Sequence, residues 1–120
     1  MRFIQEFGYS VKPGMEEQHQ QWLRDNEDAF ARLSPEGTRY LGTFATVFSS
    51  EKNSGFYRTF IELDSYAAMD RMAAATGDAS SEFGRLIRES SRFSDLSWNA
   101  PWSNALHKAV VDATIIDPLE

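Results

Sequence analysis

Arg39-Tyr40-Leu41-Gly42-Thr43-Phe44-Ala45-Thr46-Val47-Phe48 and Phe56-Tyr57-Arg58-Thr59-Phe60-Ile61-Glu62-Leu63, joined by the polar run Ser49 to Gly55, decide the fold. In the first stretch Tyr40, Gly42, Phe44, Thr46 and Phe48 alternate with Arg39, Leu41, Thr43, Ala45 and Val47. In the second Phe56, Arg58, Phe60 and Glu62 alternate with Tyr57, Thr59, Ile61 and Leu63. A period of two in aromatic and β-branched residues is a strand signal, and a short polar joint ending in Gly is a hairpin loop rather than a linker.

Upstream, Phe3, Gln5, Phe7, Tyr9 and Val11 alternate with Arg2, Ile4, Glu6, Gly8 and Ser10, which predicts another strand, ended by Lys12-Pro13-Gly14 because Pro lacks a ladder donor. The period then changes. Met15, Gln18, His19, Trp22, Leu23, Asn26, Ala29, Phe30 and Leu33 form one helical stripe, with Glu16, Glu17, Arg24, Asp25, Glu27, Asp28 and Arg32 as its solvated face. Acidic residues open this helix, as its dipole favours, and Ser34-Pro35 stops it.

Downstream of the hairpin, Asp64 or Ser65 is placed to cap a helix rich in alanine from Ala67 to Ala75. Thr76-Gly77-Asp78 interrupts it, with Gly77 a candidate C-cap, and Phe83, Leu86, Ile87 and Phe93 share one side of a further segment. The reading is two helical pieces or one kinked helix. Trp98-Asn99-Ala100-Pro101-Trp102 reads as a structured loop. Ala105, His107, Ala109, Val111, Ala113 and Ile115 then fit a final strand, although Leu106, Val110 and Ala113 equally suit a helical stripe. The whole, residues 1–120, is a single α+β domain of order βαββαβ: a four-stranded antiparallel sheet with helices on one face.

Composition narrows the function. With 120 residues and 42% hydrophobic content the chain suits one core. A formal net charge of −6 argues against a surface that neutralises nucleic-acid phosphates. No cysteine is present, which removes disulfides, thiolate metal sites and cysteine nucleophiles. No apolar run approaches the ~20 residues that span a bilayer. The opening Met1–Glu6 carries charge where a signal peptide is apolar, so a cytoplasmic protein is expected, with neither nucleic acid nor membrane as partner.

Element order, length, the opening aromatic strand with its Pro-Gly, and Phe56-Tyr57-Arg58-Thr59-Phe60-Ile61-Glu62-Leu63-Asp64-Ser65-Tyr66-Ala67-Ala68-Met69-Asp70 resemble the dimeric α+β barrel superfamily, ferredoxin-like domains that include NIPSNAP-like and antibiotic-biosynthesis-monooxygenase-like proteins. The resemblance implies a dimeric barrel built from two such sheets. It also implies, for the oxygenase branch, Asn, Trp or His on the second helix; residues 66 to 93 contain none of these. That departure weakens an oxygenase reading and removes the axial histidine of haem-degrading relatives.

Self-association follows independently from the hairpin, whose two faces are both apolar. One register holds Leu41, Ala45, Val47, Tyr57, Ile61 and Leu63, and the other Tyr40, Phe44, Phe48, Phe56 and Phe60. Helices on one side cover only one of these, and a second copy is the natural cover for the other.

Candidate site residues are few. Arg58 and Glu62 lie on the aromatic face, ~13 Å apart along the strand, so each needs another partner; Glu6 or Gln5 is placed to meet Arg58. Arg58 is either an anchor for an anion or carbonyl, or one half of an ion pair in the seam. His19 and His107 are either satisfied structural residues or acid–base groups near neutral pH. Tyr40, Trp98, Asn99 and Trp102 are candidates to line or roof a pocket, the last three with pinning a loop to the core as the plainer role. No His pair at metal spacing, phosphate-cradling glycine loop or nucleophile elbow occurs, so no metal or cofactor is expected. Three functions remain: a homodimeric binder of a hydrophobic small molecule, a cofactor-independent monooxygenase or isomerase on an aromatic or hydrophobic substrate, and a structural module with a filled barrel. A cavity of ~300 Å³ or more near Tyr40, Arg58 or His107 separates the first two from the third.

Overall fold

In the computed structural model, residues 2–51 and 54–111 are described. The elements run β1 (Phe3–Tyr9), α1 (Glu16–Leu33), β2 (Thr38–Ala45), β3 (Tyr57–Leu63), α2 (Ala67–Gly77), α3 (Glu82–Ser91) and β4 (Ser103–Lys108). The four strands form one antiparallel sheet in the order β2-β3-β1-β4, the ferredoxin-like arrangement.

Local chemistry sets the joints. Lys12-Pro13-Gly14-Met15 makes a type II turn: Met15 N donates to Lys12 O at 3.0 Å, and Gly14 takes φ 84°, which a side chain disfavours. β1 stops at Tyr9, short of the expected Val11, which forms only an isolated bridge to Ser94. The break between the second and third helices is real, giving two pieces. The Ser81 hydroxyl caps α3 by accepting from Gly84 N at 2.9 Å. Gly77 is not a left-handed C-cap, because its φ is not positive and Asp78 takes the cap position. Ser65 Oγ accepts from Ala68 N at 3.3 Å at the start of α2, so of the two cap candidates Ser65 serves.

All three helices cover one face of the sheet. Trp22 and Phe30 from α1, Ile61 from β3, Met72 from α2, Phe83 and Leu86 from α3 and Phe93 beyond it form the main core, and Phe3, Leu63 and Ala68 a smaller one. Phe30 is its hinge, with ring centroids 4.9 Å from Tyr40 and 5.2 Å from Phe83. Each fully buried ring of this kind stabilises the fold by roughly 2–3 kcal/mol.

The hairpin departs from strict alternation at one place. A bulge between Tyr40 and Gly42 pairs Tyr40 with Ile61 but Gly42 with Phe60. One extra residue shifts the pleat, so Tyr40 faces the helices while Phe44, opposite Arg58, faces away. The grouping of Tyr40 with Phe44 is corrected by this bulge. β2 also ends at Ala45, leaving Val47 and Phe48 exposed outside the sheet. β4 bears out the strand reading for Ser103–Lys108, while Ala113 and Ile115 lie outside the described residues.

Gly8 marks where β1 and the Ser54–Gly55 corner close on one another, since a Cβ there would stand 1.8 Å from Ser54 O. Gly8→Ala is expected to destabilise the fold by roughly 2 kcal/mol or more, because backbone must move. Gly77 meets nothing within 4 Å and sits on ordinary helical backbone, so Gly77→Ala is expected to stabilise by several tenths of a kcal/mol, up to about 1. Urea denaturation of both variants checks the pair; a neutral Gly8→Ala would show that this corner is not closely packed.

Candidate functional site

Between the sheet and the helices lies a cavity of about 330 Å³. Phe7, Tyr9, Tyr40, Thr43, Thr59 and Ile61 form its floor, His19, Trp22, Leu23, Glu27 and Phe30 of α1 one wall, and Met72, Thr76, Ile87, Ser90, Ser91 and Ser94 the other. Rings dominate, but the polar groups among them are ordered.

The Tyr40 hydroxyl donates to Glu27 Oε2 at 2.7 Å. With its only hydrogen spent, Tyr40 can only accept from Thr43 Oγ1, also at 2.7 Å, and Thr43 in turn accepts from Thr59 Oγ1 at 2.8 Å. A single direction therefore runs from Thr59 to the carboxylate. Next to Thr59 stands Tyr9, whose hydroxyl is 2.7 Å from His19 Nε2. His19 is 2% exposed, and its ring packs edge-on against Tyr9, Tyr57 and Phe93. Its Nδ1 is buried with no hydrogen-bond partner among the described residues.

Burial sets the protonation of these groups. It lowers the affinity of His19 for a proton, so the ring is neutral near pH 7. Burial also pushes both tyrosines above the ordinary phenol range; the neighbouring Thr59 and Thr43 hydroxyls work against this, and Glu27 adds to it. The tyrosines stay protonated donors.

Arg58, Glu62 and His107 lie on the opposite, helix-free face. Arg58 stands across from Gly8, which has no side chain, so its guanidinium crosses to Glu6 Oε2 at 2.7 Å and to Ser54 Oγ at 2.6 Å. His107 Nε2 lies 3.2 Å from the other Glu6 oxygen. Burial alone would raise the Glu6 carboxyl, but Arg58 and His107 together outweigh it and hold the group below its usual range. Glu62 pairs with Arg39 at 3.1 Å and Arg2 at 3.6 Å. Of the two proposed partners for Arg58, Glu6 is the one used; Gln5 turns to Asn104 on the helix side. Tyr40 is thus separated from Arg58 and Glu62 by the thickness of the sheet. Trp98 and Trp102 are 95% and 70% exposed, and Asn99 is exposed too, so these three neither roof the cavity nor pin their loop to the core. Among the described residues no group of three His, Asp or Glu is placed to hold a metal ion.

Glu27 was assigned to the solvated face of the first helix, yet it lines the cavity. The signal was present in the spacing, since His19, Leu23 and Glu27 recur at i, i+4, i+8. Thr43 and Thr59 carried no comparable mark.

Because the folded-state value of His19 lies below its ordinary 6.5, its neutral form favours folding. That contribution is complete above pH 6.5 and is lost as pH falls from there through the folded value. The unfolding free energy from urea titrations is expected to decline below about pH 6.5, with a shallower decline in His19→Gln. Identical slopes in the two proteins would show that His19 is not buried as a neutral group.

No family model and no curated protein matches the sequence. The fold has clear counterparts among solved structures. An uncharacterized NIPSNAP-like domain protein from Burkholderia xenovorans superposes with a TM-score of 0.66 at 14% identity, over 99% of this chain and 94% of that one. A NIPSNAP family protein from Agrobacterium tumefaciens gives 0.65 at 13% identity, over 98% and 100%. An antibiotic biosynthesis monooxygenase gives 0.52 at 17% identity, over 92% and 100%. At these identities the likeness is one of fold, and the chain has the ferredoxin-like α+β fold that NIPSNAP-like and antibiotic-biosynthesis-monooxygenase-like proteins share.

Proposed function

We propose that the protein works as a homodimer that takes a small, mainly apolar molecule into the cavity between α1, α3 and the sheet. The cavity carries this reading: about 330 Å³ of space beside Tyr40, walled by rings, with a few convergent polar groups to orient an occupant. A module whose interior is simply filled has no use for that space. The cytoplasm is the proposed setting, which a chain without cysteine suits, and no helix among the described residues is long and apolar enough to cross a membrane. The acidic balance speaks against a nucleic-acid partner.

The dimer rests on the helix-free face. Phe44 and Phe56 are 55% and 53% exposed there, and Phe44 meets Phe60 edge-on at 5.7 Å. On this face Glu62 pairs with Arg39 and Arg2, while Glu6 of β1 links Arg58 of β3 to His107 of β4. A face carrying both signs beside an apolar strip is complementary to itself across a two-fold axis, and a second copy is the partner it suits.

A catalytic reading has one observation in its favour: neutral His19 and protonated Tyr9 stand together in the cavity wall, a base and an acid 2.7 Å apart. It would require an occupant to reach that pair.

Two measurements test the proposal. Fluorescence of N-phenyl-1-naphthylamine is expected to rise on uptake by the protein and to fall at least about ten-fold in affinity in Ile87→Trp or the milder Met72→Phe, which fill the cavity. Unchanged uptake in both folded variants would place the dye elsewhere and sink the cavity reading. In sedimentation the chain is expected to be a dimer at micromolar concentration and Phe44→Asp a monomer, since an unpaired charge enters the seam. A dimeric Phe44→Asp would show that the helix-free face is not the interface.

A further inference from the structure

We infer that the cavity is a site for an organic amine, its ammonium group set against Glu27 and its body among the aromatic rings; this deepens the binding reading above and rests on it. Three observations converge.

The first is charge. Glu27 lines the cavity half-buried on α1, and among the described residues it takes part in no ion pair. Its Oε2 accepts the Tyr40 hydroxyl, while Oε1 has no hydrogen-bond partner among the described residues. Among the described residues no Lys or Arg lines the cavity, and His19 is neutral there, so the carboxylate faces this space without a countercharge from them. A buried or half-buried carboxylate is stabilised by a cation that reaches it, and a second anion is repelled.

The second is the direction of the hydrogen bonds. Tyr40 donates to Glu27, Thr43 to Tyr40 and Thr59 to Thr43. Across the cavity Ser90 donates to Ile87 O at 2.8 Å and Ser91 to Arg88 O at 2.7 Å, and on the α1 wall Trp22 Nε1 donates to Glu89 Oε2 at 3.4 Å. Beside Glu27 the polar hydrogens of Tyr40, Thr43 and Thr59 are therefore spent inside the protein, while Thr76 and Ser94 on the other wall and His19 keep theirs. The surroundings of the carboxylate accept from an occupant and have little to give to a second carboxylate or a phosphate.

The third is the surroundings of the carboxylate. Trp22, Phe30 and Tyr40 border the same space, and aromatic faces attract a cation that a carboxylate neutralises. Outside the cavity, the formal net charge of −6 raises the local concentration of cations around the whole protein. An ammonium on an aromatic or aliphatic body satisfies all three conditions, because it brings positive charge, N–H donors and apolar area together.

The test compares three indoles of similar size by isothermal titration at pH 7: tryptamine, 3-propylindole and indole-3-propionate. Tryptamine is expected to bind roughly ten-fold or more tightly than 3-propylindole, and indole-3-propionate more weakly than either. In Glu27→Gln, whose amide oxygen still accepts the Tyr40 hydroxyl, the ratio of tryptamine to 3-propylindole affinity is expected to fall close to one. Binding of 3-propylindole as tight as tryptamine, or an amine preference that survives Glu27→Gln, overturns the amine assignment while leaving the cavity as a binding site. If none of the three indoles binds, the binding reading and the amine assignment fall together.

Discussion

Hydroxyl groups buried under the helices must each have a partner, and this constraint organises the covered face of the sheet. Tyr40, Thr43 and Thr59 come from two neighbouring strands, yet they satisfy one another in a single file that ends on Glu27 of α1. The file ties the helix to the sheet across a space that side chains do not fill. Leaving any one of these hydroxyls unpaired would cost about 1–3 kcal/mol, so the polar floor and the position of α1 are maintained together. The β2 bulge is what admits Tyr40 to this arrangement; without the extra residue the pleat would carry it to the other face with Phe44.

The same economy shapes the helix-free face by different means. There the polar groups are charged and paired between strands: Glu6 with Arg58 and His107 on the diagonals, Glu62 with Arg39 directly opposite and with Arg2 on the diagonal. Paired charges of both signs flank Phe60 and Phe44, so this face is neither a wet polar surface nor a bare apolar one. An antiparallel sheet covered on one side normally turns polar groups to water on the other. The departure here is the physical basis of the proposed homodimer, and it puts the ion pairs and the cavity on opposite sides of the sheet.

Much of this was legible in the sequence, and the misses have physical causes. Strand and helix order followed from the change of period at Pro13-Gly14 and Pro35, and the alternation in β3 grouped Tyr57, Ile61 and Leu63 on one face, the one the helices cover. Pairing of Arg58 with Glu6 was also within reach, because residues of adjacent strands meet on the diagonal. A bulge leaves no mark in periodicity beyond the Gly42 it contains, so Tyr40 was placed on the wrong face. Trp98 and Trp102 suggested a pocket because aromatic residues usually seek cover; here they are exposed, and nothing in the chain accounts for it. Glu27 was hidden by its charge, since a carboxylate on an amphipathic helix is normally solvated, and only the tertiary position of Tyr40 reveals what it faces.

The account depends on open space behind Tyr40, and xenon reports such space most directly. In crystals of the protein pressurised with xenon, density is expected between Phe30, Tyr40, Ile61 and Ile87, the residues that surround the cavity. Absence of xenon there, with the rings of Trp22 and Phe30 closed onto the sheet, would contradict the claim that this fold holds a binding cavity.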